Sequence, residues 1–155
     1  MKRVPGISVM AFLVFALSCS RPLATENFIR SSEAGAGGVY AYSLDLSDSL
    51  TSYSLYFYTR IDSPGQDSRN LPDIGLEADL FSPSGKRYTG RIRIPGESAC
   101  RSGYFAKDYY FLYRSGFVPS EAGEWLMSVR VEDRDSLHGF RGLGIRLVRH
   151  PDNAG

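Results

Sequence analysis

Few side chains in this sequence could do catalytic or metal chemistry. The chain has two cysteines, Cys19 and Cys100, and two histidines, His138 and His150. A zinc site needs several converging ligands, and neither a His-x-x-x-His nor a Cys-x-x-Cys spacing occurs. The Gly-x-Ser-x-Gly turn of a serine hydrolase is also missing, although the carboxylate pair of a glycosidase could assemble from distant strands. We therefore expect no enzyme, no metal and no cofactor.

The exception is Cys19, whose sequence context is typical of an acylated thiol. Residues 1–18 consist of a basic head with Lys2 and Arg3, an apolar run, and then Ala16–Ser18. The run is shorter than the about 20 apolar residues that span a bilayer, and its proportions are those of a secretory signal peptide. The residues before Cys19 resemble a bacterial lipobox, in which the cysteine is acylated and the leader is removed. We expect lipid on Cys19; the alternatives are a plain signal peptide and an uncleaved anchor.

The expected lipid makes the membrane the first partner of this protein. Each buried methylene contributes about 0.8 kcal/mol, so several acyl chains anchor a protein stably where one chain binds marginally. Ser20, Arg21 and Pro22 follow Cys19, and none of them is the acidic residue that signals retention at the inner membrane in some bacteria. We expect a lipid-anchored protein of the cell envelope, at the outer membrane.

Composition indicates one globular domain that is rich in strands. The 155-residue chain has 18 Lys and Arg against 17 Asp and Glu, and so lacks the basic excess that nucleic-acid binding requires. Ten Tyr and nine Phe favour β-structure. If Cys19 is acylated, Cys100 has no partner for an intrachain disulfide, so the core must stabilise the domain.

Apolar and polar residues alternate through most of the chain after residue 38. Tyr40, Tyr42, Leu44 and Leu46, for example, share one face of their segment, which is typical of a half-buried strand. The sequence predicts an all-β fold that follows an N-terminal signal helix: an antiparallel β-sandwich of about seven strands, Ig-like or jelly-roll-like, with a small barrel as the alternative. The predicted strands are Val39–Ser47, Ser52–Arg60, Leu76–Phe81, Arg87–Ile94, Lys107–Arg114, Gly123–Glu132 and one around Leu143–Leu147.

The same patterns predict the domain boundaries. Residues 1–18 form the signal peptide. Residues 19–38, polar and rich in small side chains, are predicted to be a flexible tether that lifts the domain off the membrane, with a short strand at Asn27–Arg30 as the alternative. Residues 39–150 form the sandwich, and residues 151–155 form a tail.

Four tyrosines are the candidate binding residues. Tyr56 and Tyr58 lie on the second face of their strand, opposite its apolar face. Tyr109 and Tyr113 belong to the segment Lys107–Arg114, which has large side chains on both faces. Such a strand is typically buried on both sides. The alternative is an exposed aromatic platform for sugar rings, which would make this a surface glycan-binding lipoprotein.

Charged side chains are expected to set the register of one hairpin. Glu77 and Asp79 point outward from its first strand, and Arg91 and Arg93 point outward from its second strand. Opposite charges on neighbouring strands stabilise a sheet by about 0.2–1 kcal/mol per pair, so these residues need no ligand to explain them. Trp125 is predicted to lie on the apolar face of its own strand.

Several segments together resemble a known family of envelope proteins. In order along the chain they are Ser54–Tyr58, Phe81–Lys86, Phe111–Tyr113, Pro119–Val129 and Leu137–Leu147. With the leader, they resemble the gliding motility-associated lipoprotein family (GldH-like). The resemblance implies an accessory lipoprotein of a gliding-type motility or secretion apparatus that binds other envelope proteins. It implies no catalytic residues.

Overall fold

The fold is an all-β sandwich, as the sequence predicted. The computed structural model describes residues 22–62, 72–102 and 105–151, and within them nine strands form two antiparallel sheets. The five-stranded sheet has the order β1-β9-β3-β7-β6, and the four-stranded sheet has the order β2-β8-β4-β5. The strands are β1 (Ala24–Arg30), β2 (Val39–Leu46), β3 (Ser52–Asp62), β4 (Ile74–Phe81), β5 (Arg87–Ile94), β6 (Ala99–Ser102), β7 (Ala106–Phe117), β8 (Gly123–Val131) and β9 (Phe140–His150).

Residues 22–62, 72–102 and 105–150 contain three short 3-10 turns and no longer helix. They span Ser31–Glu33, Gly96–Ser98 and Arg134–Ser136. In the part of the chain that the structure covers, no helix is long and apolar enough to cross a bilayer.

The alternating side chains of the strands meet between the two sheets and form the core. The inward residues of β2 (Tyr40, Tyr42, Leu44 and Leu46) are buried, as the sequence predicted. Trp125 of β8 is buried as well. This arrangement follows from the period of two along a strand, which directs every second side chain to the same face.

The N-terminal segment corrects the predicted tether. Residues 24–30 form β1, which pairs with β9 from Ala24↔Val148 to Arg30↔Gly142. The sandwich therefore begins at Ala24, not at residue 39. An edge strand hydrogen-bonds on one side only and can carry polar residues on its outer face, so its sequence looks like a linker. The predicted signal peptide, Cys19 and the part of the predicted tail after Pro151 lie outside the described residues.

A second correction concerns the residues around Cys100. None of the predicted strands includes residues 99–102, but these residues form β6, a four-residue edge strand that pairs with β7. With β1 and β6 included, the strand count rises from the predicted seven to nine. Short edge strands escape detection because so few residues cannot display an alternation.

The start of the described chain and three of the connections between strands lie at the same end of the sandwich. Residues 22–23 lead into β1, and connections 47–51, 82–86 and 118–122 join β2 to β3, β4 to β5 and β7 to β8. We call this the Leu23 end.

Candidate functional site

The candidate site is an aromatic surface on the outer side of the five-stranded sheet. We call it the aromatic face and define it by five side chains from three strands: Phe28 of β1, Tyr56 and Tyr58 of β3, and Tyr110 and Leu112 of β7. The strand registers bring these residues together from distant parts of the chain.

Strand pairing arranges the aromatic face in rows that run across the sheet. In the first row Phe28 pairs with Gly144, Gly144 with Tyr58, and Tyr58 with Tyr110. In the second row Tyr56 stands between Arg146 and Leu112. Paired residues on one face of a sheet are close enough for their side chains to touch.

Gly144 makes room for the ring of Tyr58. A Cβ atom at this position would lie 2.3 Å from Cζ of Tyr58 and 2.6 Å from both of its Cε atoms, so the ring covers the glycine backbone. The rings of Phe28 and Tyr58 stack with their centroids 5.8 Å apart and their planes at 27°. A side chain at residue 144 would stand in the way of this arrangement.

A second stacked pair lies beside the first. The rings of Tyr56 and Tyr110 have centroids 5.0 Å apart and an interplanar angle of 27°. Phe28 and Leu112 are exposed, Leu112 by 44%, and the three tyrosines are half-buried. Aromatic pairs of this geometry contribute about 0.5–1.5 kcal/mol beyond their buried area, so the surface has a defined shape before any partner arrives.

Charged pairs flank the aromatic face. Nε of Arg146 lies 3.4 Å from Oε1 of Glu26, and Nε of Arg60 lies 3.9 Å from Oδ1 of Asp108. Burial, followed by the nearby charge of Glu26, raises the pKa of Tyr58 above its usual value.

The surface is concave next to Tyr58. A depression of about 310 Å³ there is lined by Phe28, Tyr58 and Tyr110 together with Arg60 and Asp108. It therefore joins the aromatic face to one of the flanking ion pairs.

The four predicted tyrosines separate into two groups. Tyr56 and Tyr58 belong to the aromatic face. Tyr109 is only 1% exposed and its hydroxyl donates to the carbonyl of Pro72 (3.2 Å), so the prediction of a binding role is wrong for Tyr109.

Tyr113 points to the inner side of the sheet and does not join the aromatic face. Its ring lies 5.6 Å from that of Phe57, and its hydroxyl oxygen would be 3.8 Å from a Cβ atom at Gly90 of the other sheet. The guanidinium of Arg114 lies 5.6 Å from the Tyr113 ring. The ring of Tyr113 therefore contributes to packing between the sheets.

The expectation that β7 is buried on both sides is also wrong. Tyr109 faces the core, while Tyr110 and Leu112 face outward and remain accessible. Sequence reasoning missed Tyr110 and Leu112 because both faces of β7 are apolar, which leaves the inward face undetermined. It missed Phe28 because β1 was assigned to the tether.

The outer side of the four-stranded sheet has the opposite character. Glu77 of β4 lies opposite Arg91 of β5, and the Glu77 carboxylate lies 3.2 Å from Nη2 of Arg91. Asp79 binds Arg87 at 2.8 Å, and Arg93 binds Asp73. The charges on this face are thus engaged with one another.

Two of these ion pairs shift the pKa of a carboxyl group. The hydrogen bond from Arg87, and then that from Thr89, lowers the pKa of Asp79 below its usual value. For Asp73 the backbone N–H of Gly96, and then Arg93, lowers the pKa. Hydrogen-bond donors from β5 and from the 3-10 turn that follows it therefore stabilise both carboxylates in their charged form.

The described residues offer one pair with the elements of a nucleophilic site, and its surroundings favour a structural role. Oγ of Ser54 lies 2.9 Å from Nε2 of His150. Ser54 is buried and also accepts the N–H of Gly116 at 3.2 Å, so it ties β3, β7 and β9 together. Among the residues that the structure covers, no group of three or more His, Cys, Asp or Glu side chains could hold a metal ion.

Comparisons with known proteins identify no family for this chain. No family model and no curated protein matches it. A protein of Sulfurospirillum deleyianum with a solved crystal structure is similar at 11% sequence identity and a TM-score of 0.34, over 83% of this chain and 98% of that one. A likeness of this size carries no argument about function.

Proposed function

We propose that this protein is a lipid-anchored lipoprotein of the cell envelope whose sandwich binds another envelope protein through the aromatic face. The context of Cys19 supports the anchor and an outer-membrane location. The GldH-like segments support a role as an accessory component of gliding-type motility or secretion machinery. The stacked, accessible rings of the aromatic face are the single observation that carries the binding role.

Physical chemistry favours the aromatic face over other surfaces as a protein-binding site. Single exposed apolar residues are common on soluble proteins, whereas contiguous apolar patches mark interaction sites. Aromatic side chains are enriched in protein interfaces, and charged side chains are depleted at interface cores. An interface on the outer side of the four-stranded sheet would have to desolvate ion pairs such as Glu77–Arg91, and removing paired charges from water is costly.

Site-specific photo-crosslinking at Leu112 tests the proposal. Leu126 is the matched control, since it is also a leucine in mid-strand, is similarly exposed (56% against 44%), and lies on the outer side of the other sheet. We expect a photoreactive residue at position 112 to capture a defined envelope protein at native expression, and one at position 126 to capture none. Equal labelling from both positions, or none from position 112, would contradict the binding role.

The anchor is tested separately by Cys19→Ala. This variant should leave the membrane fraction, and the mass of the N-terminal peptide of the unmodified protein should include acyl chains. Unchanged membrane partitioning of the variant, with no acyl mass on Cys19, would remove the anchor from the proposal.

Surface glycan binding is the second candidate, favoured by the ring of Tyr58 that covers Gly144. Flat, accessible aromatic rings bordered by hydrogen-bonding groups suit the apolar face of a sugar. The two candidates predict different results. If the protein binds glycan, it should be retained on immobilised envelope polysaccharide and the Tyr58→Ala variant should not. In that case crosslinking from position 112 should capture no protein. Trp125 is buried and donates to the carbonyl of Glu121, so its fluorescence is a poor reporter of either event.

A further inference from the structure

The Leu23 end of the sandwich exposes large apolar side chains. Leu23 in the lead-in to β1 and Val118 in connection 118–122 are each 60% exposed, and Leu50 in connection 47–51 is 77% exposed. All three stand at the same end because β1 and β3 begin there and β2 and β7 end there. Exposed apolar side chains that cluster at one end of a domain indicate a surface that contacts something else.

The short length of chain between Cys19 and this end indicates what these side chains contact. Cys19 precedes Pro22 by three residues. A fully extended chain advances at most 3.3–3.6 Å per residue, so the acylated residue lies within about 11 Å of Pro22. The predicted 19–38 tether would have allowed the domain to stand away from the bilayer, but β1 begins at Ala24 and leaves no such length.

The charges at the Leu23 end favour an apolar contact over an electrostatic one. Nζ of Lys86 lies 3.3 Å from Oε1 of Glu121, and Nη1 of Arg149 lies 3.8 Å from Oδ2 of Asp48. Both cations are thus balanced by carboxylates of the same end. Contact with lipid headgroups would depend on the apolar tips and would not require anionic lipid.

We infer that the Leu23 end docks on the surface of the bilayer, with Leu50 and Val118 inserted at the headgroup boundary beside the acylated Cys19. The inference rests on the proposed acylation of Cys19 and adds an orientation to it. In this orientation the strands of the sandwich run away from the membrane surface, along the membrane normal. The aromatic face is directed sideways, where it can meet another protein held at the same membrane.

The test uses the full lipidated protein with an environment-sensitive dye at one introduced cysteine. Leu50→Cys, Val118→Cys and the control Phe105→Cys are each made with Cys100→Ser, and the labelled proteins are reconstituted in vesicles of neutral phosphatidylcholine. Phe105 is 70% exposed and lies at the opposite end, just before β7. A shallow nitroxide lipid in the vesicles quenches dyes that enter the headgroup boundary.

We expect a blue shift and quenching of the dye at positions 50 and 118, with neither at position 105. The signal should be unchanged when salt is raised, because the contact is apolar. Equal emission at all three positions, with acyl mass present on Cys19, would overturn the docking and leave the proposed anchor intact. A Cys19 without acyl mass would overturn both. A dye can also be placed at position 23 through Leu23→Cys, again with Cys100→Ser. In that protein the double substitution Leu50→Asp, Val118→Asp should abolish quenching of the dye, while the lipid keeps the protein in the vesicle fraction.

Discussion

Replacing Gly144 with alanine tests whether the position of the Tyr58 ring maintains the aromatic face. Gly144 has an ordinary extended backbone, so alanine introduces no backbone strain. Its Cβ would lie 2.3 Å from Cζ of Tyr58, whereas carbon atoms in contact prefer about 3.5–4.0 Å, so the ring must move by at least about 1 Å. The atoms that must move are at the far end of a side chain, and the sheet can stay intact.

The expected magnitude combines two opposing effects. Alanine in a strand is favoured over glycine by about 0.5–1 kcal/mol. Displacement of Tyr58 forfeits its stacking with Phe28, which is worth about 0.5–1.5 kcal/mol. The free energy of unfolding of Gly144→Ala should therefore stay near that of the unmodified protein.

Gly90→Ala is the matched control, because a Cβ there meets only the hydroxyl oxygen of Tyr113 at an ordinary 3.8 Å. This variant gains the strand preference and loses no stacking. In urea unfolding we expect Gly144→Ala to be less stable than Gly90→Ala by about 0.5–1.5 kcal/mol. NMR should detect a shifted Tyr58 ring only in Gly144→Ala, and crosslinking from Leu112 should weaken only there. Equal stability of the two variants, with an unmoved Tyr58 resonance, would refute the reasoning.

Three further predictions concern stability. Tyr42→Phe removes the hydrogen bond that the Tyr42 hydroxyl donates to the carbonyl of Leu143 at 2.6 Å, and it should lower the free energy of unfolding in urea by about 0.5–1.5 kcal/mol; an unchanged midpoint would contradict this. Gly139 has a φ of +78°, and a Cβ there would lie 1.8 Å from the carbonyl oxygen of Asp62. Gly139→Ala should therefore lower the free energy of unfolding by about 1–3 kcal/mol, which thermal melting would detect as a lower midpoint. The folded-state pKa of Asp79 lies below the ordinary 3.8, so the contribution of Asp79 to stability is present above pH 3.8 and is lost as the pH falls through the folded-state pKa. Asp79→Asn should therefore weaken the fall of the urea midpoint at acid pH. An identical fall in the variant would rule out the Asp79 ion pair as its cause.

Much of the fold follows from local patterns that the sequence displays directly. Tyr40 and Tyr42 alternate with polar residues, and the structure buries both. The sequence also predicted a hairpin of Leu76–Phe81 and Arg87–Ile94, and the structure pairs these segments as β4 and β5. Such patterns can be read without knowledge of the fold, because the alternation belongs to one strand and the hairpin to two adjacent strands.

The candidate site was less predictable, as β7 illustrates. Tyr109 and Tyr110 are neighbours of the same residue type on a strand that is apolar on both faces. Only the register against β3, which pairs Phe57 with Phe111 and Tyr58 with Tyr110, decides that Tyr109 points inward and Tyr110 outward. A one-residue change of register would reverse the two roles.

The sequence by itself determined the all-sheet architecture and the inward faces of most strands, and it placed a lipobox-like segment before Cys19. The tertiary structure alone decided that residues 24–30 pair with β9 as a full strand of the sandwich, that Phe28 meets Tyr58 over Gly144, and that Leu23, Leu50 and Val118 lie at one end of the domain. The difference has one physical cause. Alternation is a property of a single strand, whereas an edge strand and a composite surface arise from pairing between segments that are distant in the sequence, such as β1 and β9.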